Sequence, residues 1–314
     1  MKKRGLIIIA LVIIVMITAT GCFFPKPWFL DFKKSHSVDE EEKIDLSELD
    51  IEKLELELLS NEINISKSSS DEIEIYLTGS IKSNFTPNIY INESGNSLRI
   101  SDSDKSFSSS DYKDNSLNIE ILIPEKFHKD FNLNTITSVI TVEGIEFNDV
   151  GINSVSGNIR LSEVTGSNVS LKSVSGNIDV SDSNLYSLRL DTVSGDSKLI
   201  GINSNDLRSK SVSGDLDIIG DLGSLDFDTV SGDASLNISK VEQDFNMKSV
   251  SGSARLITDK LQGFDFRFSS LSGDIESDIE LNYDRIHDDT IEGSYGAGGS
   301  LVYFKSTSGD FIIK

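Results

Sequence analysis

Five aspartates, Asp196, Asp215, Asp233, Asp274 and Asp310, each follow a Ser-Gly pair, and Asn158 and Asn177 hold the same place in earlier copies. Acids that recur at a fixed step line up wherever the backbone repeats. On stacked strands about 4.8 Å apart such carboxylates repel by about 1 kcal/mol even at water's dielectric constant, and a hard cation such as Ca²⁺ would relieve that repulsion. A surface cation ladder on these five aspartates is one reading. The other makes them solvated acids beside a turn, because the Gly-Gly-x-Gly-x-Asp pattern of calcium-loaded β-rolls is missing. Zinc is not expected: His36, His128 and His287 are far apart and form no paired ligand motif. The many serines include no G-x-S-x-G elbow. The stretch GSYGAGG, residues 293–299, is not followed by Lys-Ser or Lys-Thr and reads as a loop, not a phosphate cradle. No catalytic residue, cofactor or resident metal is assigned.

The charge balance narrows the partners. The 314 residues carry 51 Asp and Glu against 29 Lys and Arg, a net charge of -22, which repels nucleic-acid backbones and acidic membranes. The opening MKKRGLIIIALVIIVMITATGC has a basic start, an apolar run from Leu6 to Ile17 and small residues before Cys22, the pattern of a secretory signal. Cys22 is the only cysteine, so no intrachain disulfide forms. With Ala19-Thr20-Gly21 before it, the stretch resembles a bacterial lipoprotein signal, which implies a lipid on the Cys22 thiol and Cys22 as the new N-terminus. The alternative is an uncleaved transmembrane helix reaching Phe24. Both readings make the remainder extracytoplasmic and hold it to a membrane. Residues 1–22 are the expected signal peptide and residues 23–45 the expected tether, with Phe23, Phe24, Trp28 and Phe29 suited to a bilayer interface.

A repeat positions the aspartates. Gly157, Gly176, Gly195, Gly214, Gly232, Gly252 and Gly273 recur at steps of 19, 19, 19, 18, 20 and 21 residues, and Gly309 lies 36 further on, two steps of 18. Around and before them apolar residues alternate with polar ones, as in Leu54, Leu56 and Leu58, so the chain reads as all-β. One strand pair per copy cannot bury its own apolar face, whereas stacked copies bury a continuous interior. The expected fold is a parallel β-solenoid of about 19-residue coils over 131–314, after a degenerate β-rich part over 46–130. In SVSGNIDV, counting by twos puts Val174, Gly176, Ile178 and Val180 on the inner face, with the glycine where a Cβ would strike the opposite wall. The upstream strand of each copy, such as Leu188 and Leu190, is out of phase with it, so a bend separates the two. In the competing reading Ser-Gly-Asp is a hairpin turn with glycine at positive φ, and the fold is an antiparallel β-sandwich.

The repeated T/S-V-S-G-D/N, the early LLSNEINI, the segment LNIEILIPEKF and the closing GAGGSLVYFKSTSGDFII resemble the bacterial β-strand-repeat family of unknown function labelled "putative adhesin". The resemblance covers roughly Leu46 to Lys314. It implies an envelope protein that serves as a non-enzymatic binding or adhesion scaffold, in some members tied to envelope stress, and it carries over no catalytic residues. The expected partners are the membrane, through the lipid anchor, and an unidentified envelope protein or glycan. Oligomeric state is open, and a free strand edge near Lys314 would favour self-association. A carbohydrate-active β-helix enzyme or a glycan-binding protein is the alternative.

Overall fold

The computed structural model describes residues 34–47, 49–103, 112–258, 263–287 and 289–314. The expected signal peptide with Cys22, and the tether as far as residue 33, lie outside the described residues. Every regular element described is a strand, and no described helix is long and apolar enough to cross a membrane.

The first strands are β1 (Lys34–Asp45), β2 (Lys53–Glu57), β3 (Glu62–Ser68), β4 (Glu72–Ser83), β5 (Tyr90–Ser94), β6 (Ser97–Ser101), β7 (Tyr112–Lys113) and β8 (Asn118–Pro124). The repeats supply β9 (Asp130–Asn134), β10 (Val139–Glu143), β11 (Glu146–Ser154), β12 (Ile159–Ser162), β13 (Thr165–Ser173), β14 (Ile178–Ser181) and β15 (Asn184–Thr192). They continue with β16 (Ser197–Lys210), β17 (Leu216–Asp228), β18 (Ala234–Val241), β19 (Phe245–Lys248), β20 (Ala254–Ile257), β21 (Gly263–Ser269) and β22 (Ile275–Ser277). A hairpin of β23 (Asn282–His287) and β24 (Thr290–Gly296) follows, then β25 (Leu301–Lys305) and β26 (Phe311–Ile313).

Two ladders, each of eleven parallel strands, form the walls. The first runs in space β6, β2, β9, β11, β13, β15, β16, β17, β19, β25, β21. The second runs β8, β3, β10, β12, β14, β16, β17, β18, β20, β26, β22. Parallel pairing through the whole stack makes the fold a parallel β-solenoid and excludes the sandwich. Antiparallel pairs are confined to the two ends, where β4 with β1 covers β8, β5 covers β6, and β24 with β23 covers β21. Inward residues such as Leu171, Ile178, Leu188, Leu190 and Leu199 are fully buried, and a cluster of Phe268, Phe304 and Phe311 fills the far end with ring centroids 5.8 to 6.2 Å apart. No coil could bury these side chains alone, so neighbours supply the core.

Three expectations are corrected. Residues 34–45 are not tether: they form β1, paired with β4 over twelve positions, because Val38 and Ile44 have an apolar face to join. Gly273 and Gly309 are not two steps apart. The intervening residues go into the β23–β24 hairpin, and the chain then returns to slot β25 and β26 between the β19–β20 coil and the β21–β22 coil. The strand near Lys314 therefore has partners on both sides and is no free edge. The same inversion occurs at the other end, where the β2–β3 coil lies between β6 and β8 on one side and β9 and β10 on the other.

Outward charges also follow the ladders. Lys172, Asp191, Lys210, Asp228 and Lys248 stand opposite one another in register along the first wall. Arg160, Asp179, Lys198 and Asp217 do so along the second, with Arg160 3.6 Å from Asp179. Opposite charges directly across a strand pair contribute about 0.2–1 kcal/mol each. Exchanging two neighbouring coils would set like charges face to face.

Candidate functional site

Each S/T-V-S-G phrase carries the chain from the first wall to the second. Its first residue points inward, and its hydroxyl oxygen accepts a hydrogen bond from the glycine N–H three residues on: 3.0 Å for Ser154 and Gly157, 2.8 Å for Ser173 and Gly176, 3.0 Å for Thr229 and Gly232. That local bond makes the corner. The next two residues both face out, so the valine is not a core residue: Val155 and Val250 are 42% and 49% exposed. Counting by twos placed it inside because the corner consumes one step of the alternation.

The glycine then returns to the interior. None of the eight phrase glycines has a positive φ, so none is the hairpin glycine of the competing reading. Left-handed backbone lies at another corner, at Gly144, Glu163, Asp182 and Gly201, with φ of 68°, 55°, 49° and 66°. A Cβ on Gly195 would sit 2.0 Å from the Gly176 carbonyl oxygen, and one on Gly214 2.0 Å from that of Gly195. The obstacle is the backbone of the coil before, not the opposite wall. The same contacts place Gly309 against Gly252 and Gly273 against Gly309.

The residues after the glycines do form one outward column. Asn158 Oδ1 accepts the Asn177 N–H at 2.9 Å, Asn177 Oδ1 accepts that of Asp196 at 3.1 Å, and Asp196 Oδ1 that of Asp215 at 3.0 Å. Asp215 caps Asp233 at 2.8 Å, Asp233 caps Ser253 at 2.7 Å, and Asp310 caps Asp274 at 2.9 Å. Ser253, whose hydroxyl caps Asp310, interrupts the run of acids. Asp196, Asp215, Asp233 and Asp310 thus each use one carboxylate oxygen to satisfy a backbone donor of the next coil, and Asp274 stands at the end of the column. Among the described residues no group of three or more His, Cys, Asp or Glu side chains is placed to hold a metal ion.

Sequence reasoning missed Asp102. It follows β6, where the chain leaves the first coil, and its fully buried carboxylate accepts from Leu59 N–H at 2.9 Å, Ser60 N–H at 2.7 Å and the Ser60 hydroxyl at 2.6 Å. In later coils the corresponding donors bond to backbone carbonyls, as Ser175 N–H does to Val155 at 3.0 Å. Burial pushes the Asp102 carboxyl above its ordinary value, and the hydrogen bonds offset this only in part.

A surface groove of about 350 Å³ crosses four coils where two successive outward residues interrupt the alternation of β11, β13, β15 and β16. Its floor is Phe147 and Leu185, both buried, with Gly166 in register between them adding only backbone. Its walls carry Asn184, Asn203 and Asn205, and its rim carries Tyr186, 66% exposed. The one charged lining residue, Glu146, lies 3.3 Å from His128. Elsewhere stacked amides bond to their neighbours, as Asn153 does to Asn134 and Asn168 to Asp149. Among the described residues the side-chain amides of Asn184, Asn203 and Asn205 have no such partner and face solvent. The 19-residue step from Asn184 to Asn203 was the only sequence sign of this site.

The fold and surface define a repeat solenoid with a polar exterior. Residues 51–314 match the Toastrack DUF4097 family, and the chain belongs to that family. Among solved structures it is similar to a protein from Parabacteroides distasonis named "putative lipid binding protein", at 14% identity and TM-score 0.53, over 89% of this chain and 97% of that one. It is also similar to a "putative adhesin" from Bacteroides fragilis, at 14% identity and TM-score 0.44, over 90% and 98% of the two chains. A "putative cell adhesion protein" from Clostridium sporogenes matches at 15% identity and TM-score 0.24, over 88% and 99%. No curated protein matches. The Parabacteroides likeness supports a shared fold; the identities carry no shared activity.

Proposed function

We propose that the chain is a non-enzymatic binding scaffold, held to a membrane outside the cytoplasm by a lipid on Cys22 and engaging an envelope partner through its outward side chains. The observation that carries this reading is the stack itself. Eleven paired coils fix the outward side chains at one-strand intervals on walls whose backbone is already bonded. Such repeats suit extended recognition surfaces. Membership of the Toastrack DUF4097 family and the expected lipoprotein signal support it. A role in envelope stress would follow if the partner is a stress component.

Two measurements test it. Labelled palmitate should be incorporated into the wild type and not into Cys22→Ser; a wild type that takes up no label refutes the lipid anchor. Pull-down from membranes with the intact anchored protein should recover an envelope component. Release of new reducing or unsaturated ends from envelope polysaccharide would instead make the chain an enzyme and end the scaffold reading.

A further inference from the structure

We propose that the groove bounded by Tyr186, Asn184, Asn203 and Asn205 binds a segment of neutral glycan. The proposal rests on the scaffold reading and names the ligand class of one of its surfaces. A side-chain amide presents donors and an acceptor together, the complement of vicinal hydroxyls on a sugar ring. Three such amides, unused by the protein, converge on one groove. Tyr186 on the rim offers an exposed aromatic face to the C–H face of a pyranose.

Charge and depth decide against other ligands. In a chain of net charge -22 the groove has one charged residue, Glu146, which faces His128, so neither an anionic nor a polycationic ligand is matched. A lipid tail needs a deep apolar hole, yet the apolar floor is limited to Phe147 and Leu185 and both are already packed. A peptide adding as a strand needs a free backbone edge, and the backbone here is paired on both sides in the ladder. The same interruption of the alternation repeats through four coils, which suits a chain of several sugar units, not a single ring.

The test uses the full chain in a detergent without a sugar headgroup. It is titrated with cellohexaose, xylohexaose, maltohexaose and chitohexaose, with hexagalacturonate as the acidic probe and phosphatidylglycerol vesicles as the lipid probe, and binding is read by saturation-transfer NMR and calorimetry. At least one neutral hexasaccharide should bind. Tyr186→Ala and Asn203→Ala should each weaken it about tenfold or more, Tyr186→Trp should retain it, and Tyr283→Ala, remote in the fold, should leave it unchanged. Binding of none of the neutral probes, preference for hexagalacturonate or vesicles, or neutral binding indifferent to Tyr186→Ala each overturns the proposal. A scaffold that grips its partner by another face would show an unaltered membrane pull-down for Tyr186→Ala. Failure of the glycan titration and failure of the scaffold reading are therefore read in separate experiments.

Discussion

At the scale of single residues, two glycines separate close approach from conformational freedom. Gly195 has an ordinary φ but no room, since its Cβ would lie 2.0 Å from a neighbouring carbonyl oxygen; Gly95 has φ +60 and nothing within 4 Å. Gly195→Ala should lose about 3 kcal/mol in urea unfolding, as overpacking does, and Gly95→Ala about 1 kcal/mol, the cost of left-handed backbone. Equal losses would show that the glycine column is not a packing seam. Asp102 gives a pH test. Its carboxyl is raised in the folded state, so the stability it contributes is full below the ordinary carboxyl value, about pH 4, and is lost as pH rises through the raised value. Glu55, lowered by its bonds to Lys53 and Arg99, has the opposite slope and cancels when variants are compared. Wild type should therefore lose stability relative to Asp102→Asn between about pH 4 and neutrality; a constant gap refutes the assignment. The inward glycine was legible because the apolar alternation of the strand after it, Ile178 and Val180 in one coil, counts back onto Gly176. What it packs against was not, because that depends on which coil lies next door. Asp102 was invisible because its role exists only where the chain leaves the stack.

At the scale of the coil, the outward columns make the order of neighbours an electrostatic matter. Lys210 stands opposite Asp191 on one side and Asp228 on the other. Lys210→Asp would place three acids in a row and should cost about 1 kcal/mol more than Lys210→Ala, a difference that shrinks in high salt. Identical melting of the two variants at low ionic strength would remove any role for the alternation. The 19-residue step revealed the coils, since a uniform step needs only one repeated shape. It could not reveal the phase change at the corner, where the hydroxyl of Ser173 bonds Gly176 and pushes Val174 and Ser175 outward together. The groove was equally hidden, because Asn203 joins Asn184 and Tyr186 only after adjacent coils are in register.

At the scale of the molecule, the stack does not follow the order of the chain. Removing residues 299–314 would take out β25 and β26, which touch the β19–β20 coil on one flank and the β21–β22 coil on the other. Hydrogen exchange should then show β22 unprotected, while β21 keeps its pairing to β24 and β11 to β16 keep native protection; full protection of β22 in the truncated chain would contradict the inverted order. The sequence made a long stack legible but read Gly273 to Gly309 as two regular steps, since a hairpin excursion of matching length mimics two coils. The inversion also bears on mechanics. A force applied at residue 314 must shear rows of hydrogen bonds on both flanks of β26 at once, whereas a simple spiral would peel from its tip one row at a time. The stack is thus clasped against unravelling from the end that a tensile load at the far tip would reach first.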